Sequence, residues 1–183
     1  AQAYGVERTP LATKQWGVYS HRVLNTNHPL TGNLNSRFDA PHSRWNNVPR
    51  EELEAVGIHV LAHSEVAGVH LAVSPDGFRW LYLQGHPEYD ILSLPKEYKR
   101  EVTRYQEGIN ATYPPYPDTC FPQGAIDILE EFQGRAKNAR ERGAEQPVYP
   151  DETVEPELEN SWTDTGKALF NNWLGQVYQL TSR

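Results

Sequence analysis

At 183 residues, 38% of them hydrophobic, the chain has material for one domain with a sizeable core and too little for two ordinary ones. A net charge of -7 argues against a nucleic-acid partner, since the basic residues are scattered, as in His21-Arg22, Lys99-Arg100 and Arg140, and form no stripe that would neutralise phosphates. A single cysteine excludes an internal disulfide, and no apolar run approaches the roughly eighteen residues of a membrane span.

Ala1-Gln2-Ala3-Tyr4-Gly5 has neither the basic leader nor the apolar stretch of a secretory signal. Together with the cysteine usage this predicts a reducing, cytoplasmic location. Methionine is absent even at position 1, so the chain is expected to be a fragment of a longer product.

Along the chain, Pro49 to Val56 opens on proline, carries Glu51 and Glu52 in its first turn and stops at Gly57, which predicts a short helix. Ile58 to Ala62 and Val69 to Val73 are short apolar strands, and Ser74-Pro75-Asp76-Gly77 is a turn. Phe78 to Gln84 reads as a further strand, so that Val69 to Gln84 forms a β-hairpin. After Gly85-His86-Pro87-Glu88-Tyr89-Asp90 a helix is predicted over 95–107. Tyr113 to Asp118 is a proline-rich connection, and 123–142 is a second helix with Ile126, Leu129 and Phe132 as its stripe. The acidic, proline-bearing run 146–160 reads as a surface loop. A last helix over 163–180 places Leu169, Phe170, Trp173, Leu174 and Val177 on one face.

Gly85 to Asp90 is the stretch with chemistry in it. Residues i and i+2 of an extended chain point to the same side, so Glu88 can accept a hydrogen bond from one ring nitrogen of His86. That fixes the tautomer and leaves the other nitrogen to act as a base. The end of a strand is where open α/β sheets place active sites. On these residues alone the simpler alternative, a turn histidine ahead of a proline, stays open.

A histidine–carboxylate pair needs a nucleophile. Cys120 has no glycine-rich elbow or helix N-terminus to stabilise a thiolate. Ser43, between His42 and Arg44, suits ligand binding better than attack, and Ser20 is the remaining candidate. None is convincing. His59, His63 and His70, near Glu65, lack the one-face spacing of a metal motif and read as ordinary surface histidines, so no metal is expected.

Four segments carry a family resemblance: Lys14-Gln15-Trp16-Gly17-Val18-Tyr19-Ser20-His21; Phe38-Asp39-Ala40-Pro41-His42-Ser43-Arg44; Gly85-His86-Pro87-Glu88-Tyr89-Asp90; and Asn171-Asn172-Trp173-Leu174 with Val177-Tyr178-Gln179-Leu180. In this order, from about Tyr4 to Leu180, the chain resembles the homoserine O-succinyltransferase family. The resemblance implies an α/β, flavodoxin-like sheet akin to class I glutamine amidotransferases, flanked by helices. The whole of 1–183 would be the C-terminal part of one acyltransferase domain.

The resemblance also implies a Cys-His-Glu triad, with His86 as general base and Glu88 as its orienting carboxylate. Lys14, Ser43 and Arg100 match substrate-contacting positions, and the nucleophilic cysteine is expected just upstream of Ala1. A guanidinium can grip the amino acid's carboxylate with a bidentate fork, and a lysine adds a second positive charge. L-homoserine and an acyl-CoA co-substrate are the implied partners, with no further cofactor, and a homodimer is expected. The run Asn25 to Arg44 resembles succinyl-using relatives. An acetyl donor, serine as acceptor, a glutamine amidotransferase-type hydrolase and a non-catalytic relative are the alternatives. Ser20 departs from the acid that many relatives carry before the histidine, and Thr112–Pro122 and Gln133–Asn160 look longer than in short relatives.

Overall fold

A computed structural model describes residues 2–181. They fall into two compact units. One runs through Glu88 and resumes at Ser161; the other is Tyr89–Asn160.

The first unit is built on a five-stranded sheet of order β2-β1-β3-β4-β5, antiparallel at every pairing. The strands are β1 (Thr9–Val23), β2 (Arg37–Asn47), β3 (His59–Ser64), β4 (Gly68–Val73) and β5 (Leu81–Leu83). Sheet twist accumulates from strand to strand, and here it curls the sheet until its two edges meet. The chain just past β5 reaches back to β2: His86 N–H donates to Pro41 O at 2.7 Å, and the Gln84 side chain bonds Val48.

Two apolar clusters hold the curl. On one side Val23, Leu30, Phe38, Leu61, Leu71 and Val73 pack with Leu169 of the C-terminal helix α5 (Thr163–Thr181). On the other, Val48, Ile58, Val60, Val69 and Ala72 pack with Leu53 of α1 (Arg50–Ala55). Each fully buried aliphatic side chain contributes about 1.5–3 kcal/mol, so these clusters dominate the stability of the unit.

The predicted hairpin is present, but its second strand is shorter than 78–84. The Asp76 carboxylate accepts from the N–H groups of Phe78 (3.1 Å) and Arg79 (3.0 Å), and Ser74 Oγ accepts from Trp80 N–H (3.0 Å). Those donors belong to the turn, so ladder pairing begins only at Leu81. The two longest strands, β1 and β2, carry no simple apolar alternation, because buried histidines stand where hydrocarbon would normally face inward.

The second unit contains α2 (Ser93–Gln106), α3 (Gln123–Arg142) and α4 (Asp151–Val154). Helix α2 starts two residues before the expected position. Asp90 Oδ1 accepts from Leu92 N–H and Ser93 Oγ–H just ahead of it, a local side-chain-to-backbone turn that leads the chain into the helix. Helix α3 spans the predicted residues, but its buried stripe is Ala125, Leu129, Phe132 and Ala136, with Ile126 only half-buried. The expected loop 146–160 contains α4 and a 3-10 turn (Glu155–Glu157), because Val154 is buried and Asp151 pairs with Lys99 Nζ at 2.5 Å. In α5 only Leu169 is buried. Phe170, Trp173, Leu174 and Val177, predicted to share its packed face, are exposed to differing degrees.

Candidate active site

His86 lies three residues beyond β5, and its ring meets the predicted carboxylate. Nδ1 stands 2.8 Å from Glu88 Oε1. A carboxylate oxygen accepts, so this contact suits the tautomer of His86 that carries its hydrogen on Nδ1. His86 is half-buried and Glu88 exposed. His86 forms one wall of a cleft of about 420 Å³ whose other walls include Arg8, Asn46, Asn47, Tyr82 and Gln84. The imidazole therefore faces a cavity that also borders the N-terminal segment.

The backbone that carries His86 is clamped on three sides. Gln84 N–H donates to His70 O at 3.0 Å. The Gln84 side chain donates from Nε2 to Val48 O (3.0 Å) and Val69 O (3.1 Å) and accepts from Val48 N–H (2.8 Å). Gly85 is buried, and a Cβ added there would stand 2.6 Å from His70 Nδ1, 2.7 Å from His42 Nε2 and 2.9 Å from Pro41 O. Only glycine fits that approach.

The rings under Gly85 belong to a buried cluster. His21 on β1, His42 on β2 and His70 on β4 are each at most 1% exposed. Burial lowers all three from 6.5: His21 to about 4, His42 to about 2 and His70 to about 3. Desolvation disfavours the charged form, and the neighbouring imidazoles add to it. Three nitrogens of the cluster lie within 4.8 Å of one another, the compactness of a three-histidine cation site. Two of the three rings are otherwise engaged, however, while His70 Nδ1 is buried with no hydrogen-bond partner among the described residues. His42 Nε2 and His21 Nε2 meet at 3.1 Å, and Arg44 Nε donates to His42 Nδ1 at 3.2 Å. A metal would have to displace one bond and sit beside a guanidinium. His21 and His42 form a hydrogen-bonded pair of neutral imidazoles, with the His70 ring packed beside them.

Over residues 1–183 the sequence matches the family model described as homoserine O-succinyltransferase. It is 53% identical over 181 residues to the homoserine O-succinyltransferase of Methylococcus capsulatus, and 51% identical over 179 residues to that of Thiothrix nivea. These alignments cover 99% and 98% of this chain, and 51% and 50% of the relatives. The chain belongs to the homoserine O-succinyltransferase family. It spans about half the length of the curated relatives it matches. In fold it is similar to the crystal structure of a glutamine amidotransferase from Methylobacillus flagellatus, with a TM-score of 0.51 at 12% identity, covering 96% of this chain and 57% of that one. The curled sheet with flanking helices is thus the class I glutamine amidotransferase-like architecture.

The remaining residues singled out in this homoserine O-succinyltransferase-family sequence fall in different places. Lys14 and Ser43 lie on adjacent strands: Trp16 is the register partner of Ser43, and Lys14 Nζ stands 4.2 Å above the Trp16 ring. Arg100 lies on α2 in the second unit, exposed, with Nε 3.5 Å from Glu101. Cys120, also in the second unit, has its thiol pushed up to about 12 by burial and by the nearby Glu97 carboxylate, so it stays protonated and unreactive. His59 is exposed and His63 half-buried, but His70 is a core residue and not the surface histidine expected. Sequence reasoning missed Gln84, Gly85 and the Arg44–His42–His21 set. The available signal was polar residues recurring inside otherwise strand-like segments.

Proposed function

We propose that the chain carries the base half of a homoserine O-acyltransferase active site, transferring succinyl from succinyl-CoA to L-homoserine in methionine biosynthesis. The observation that carries it is the 2.8 Å contact between Glu88 and Nδ1 of His86, a residue that lines a cleft, within a family-wide sequence match. The nucleophile is a cysteine on a segment preceding Ala1, within one acyltransferase domain of a cytoplasmic homodimer. No cofactor beyond the acyl-CoA co-substrate takes part.

The proposed reaction has two steps. His86 Nε2 takes the thiol proton as the cysteine attacks the thioester, then returns it to the departing CoA thiolate. In the second step Nε2 takes the homoserine hydroxyl proton as that oxygen attacks the acyl-enzyme, then returns it to the cysteine sulfur. Glu88 holds the ring in the tautomer that makes both transfers possible and stabilises the imidazolium between them. Lys14, Ser43 and Arg100 are the proposed substrate contacts, the guanidinium gripping the amino-acid carboxylate.

Incubating the natural-length protein with succinyl-CoA should raise its mass by one succinyl group, and adding homoserine should remove that group. A mass that never changes, together with hydrolysis of glutamine, would place the chain with amidotransferase-type hydrolases instead. Acetyl-CoA in the same assay reads out the choice of donor.

A further inference from the structure

We propose that the buried Arg44–His42–His21 chain, with His70 beside it, is a positioning device that seats Gly85 and thereby fixes where the His86 ring stands. This rests on the reading of His86 as the base.

The ends of the chain decide its proton order. Tyr19 O, 2.8 Å from His21 Nδ1, can only accept, so His21 carries its hydrogen on Nδ1 and presents a bare Nε2. At the other end Arg44 can only donate, so His42 Nδ1 is bare and its hydrogen sits on Nε2. That hydrogen points at His21 Nε2 across 3.1 Å, between ring planes within 10° of parallel. Every nitrogen along this line is satisfied in one arrangement and no other. Arg44 is itself fixed, donating to Asn46 O, Asn47 Oδ1 and, on the β3–β4 turn, Ala67 O.

An extra proton breaks the order. On His42 Nδ1 it would set N–H against the Arg44 N–H; on His21 Nε2 it would set N–H against N–H. The groups facing the cluster give a cation little relief. His21 is faced by His63, Arg44 and Asp39, His42 by His70, His21, Arg44 and His86, and His70 by His21 and His86. Asp39 is the one anion among them. The floor is therefore uncharged, with the His42 ring fixed by its bonds and the His70 ring held by packing, and these two rings set how closely Gly85 can approach. Gly85 at that height lets His86 N–H reach Pro41 O. A reacting group displaced by about 1 Å can lose about 100-fold in rate.

Two measurements test this in the natural-length protein. Nitrogen-detected NMR of the imidazoles should show His21 as the Nδ1–H tautomer and His42 as the Nε2–H tautomer, both neutral near neutral pH. A cationic His42, or its hydrogen on Nδ1, overturns the relay. Turnover per folded molecule should fall about 10- to 100-fold in Gly85→Ala and in His42→Phe, with KM for homoserine and succinyl-CoA within about threefold of wild type. A structural role alone would lower the yield of folded protein and leave kcat intact, and wild-type kcat in the folded variants overturns the proposal. Should His42→Phe not fold, Gly85→Ala and the tautomer spectrum decide. His86→Ala runs alongside: if it keeps normal turnover, the reading of His86 as base fails, whereas an inactive His86→Ala beside a fully active Gly85→Ala sinks only the positioning device.

Discussion

Gln84 donates to the carbonyls of Val48 and Val69 and accepts from the Val48 N–H, so one side chain closes the gap between the two sheet edges. Replacing it with leucine leaves Val48 with an unmatched buried donor. Gln84→Leu should destabilise the protein by about 2–3 kcal/mol in urea unfolding and reduce turnover, since the chain leading to His86 loses its clamp. An unchanged unfolding midpoint would show that the edges are held by other contacts. The histidine cluster carries a second residue-scale prediction. His21, His42 and His70 have folded pKa values below the ordinary 6.5, so above that pH both folded and unfolded forms are neutral and the cluster adds no pH dependence. As pH falls below 6.5 the unfolded chain takes up protons that the fold refuses, and stability drops by about 1.4 kcal/mol per pH unit for each imidazole. Unfolding at about pH 5 should therefore show a loss of about 2 kcal/mol per imidazole against about pH 7. Asp76 and Asp90, with carboxyls held below their usual range, act only at more acid pH. A flat profile between those two points would contradict the buried neutral cluster.

Elements were legible where their side chains repeat with the backbone. Helix α3 could be bounded residue for residue, with Pro122 ahead of it and Gly143 in a left-handed conformation just past its end. Strands β3 and β4 are apolar runs and were readable to within about two residues. Strands β1 and β2 were not, because Lys14, Ser20, His21, His42 and Arg44 break the pattern that marks a strand facing hydrocarbon. Their inward face is partly imidazole, a feature that only tertiary structure reveals. The shortened β5 has a similar cause: Asp76 competes locally for N–H groups that the ladder would have used. Helix α5 was placed correctly, yet its docking depends on Leu169 and on a polar residue as much as on the predicted apolar face. Asn172 Nδ2 donates to Leu30 O (3.0 Å) and Gly32 O (2.7 Å). Asn172→Ala should cost about 1–2 kcal/mol and increase hydrogen exchange within α5. Unaltered exchange there would mean that Leu169 alone secures the helix.

At the scale of the molecule, the sheet brings residues far apart in sequence to one place. Pro41, His70 and Gly85 come from different strands and turns, and they meet because the curl closes edge on edge. The pair at its focus, His86 and Glu88, was legible because both members lie in one short stretch and their i, i+2 spacing on an extended chain dictates a shared side. The support beneath them is assembled from separate strands and leaves no local motif. The proposed acyl transfer joins this local pair to a thiol carried on another segment, and its test is correspondingly direct. In the natural-length protein, His86→Ala should lower turnover of succinyl-CoA with homoserine by about 100- to 10,000-fold while the fold is retained, the range removed with a general base. Turnover within a few-fold of wild type in a folded His86→Ala protein would contradict the account.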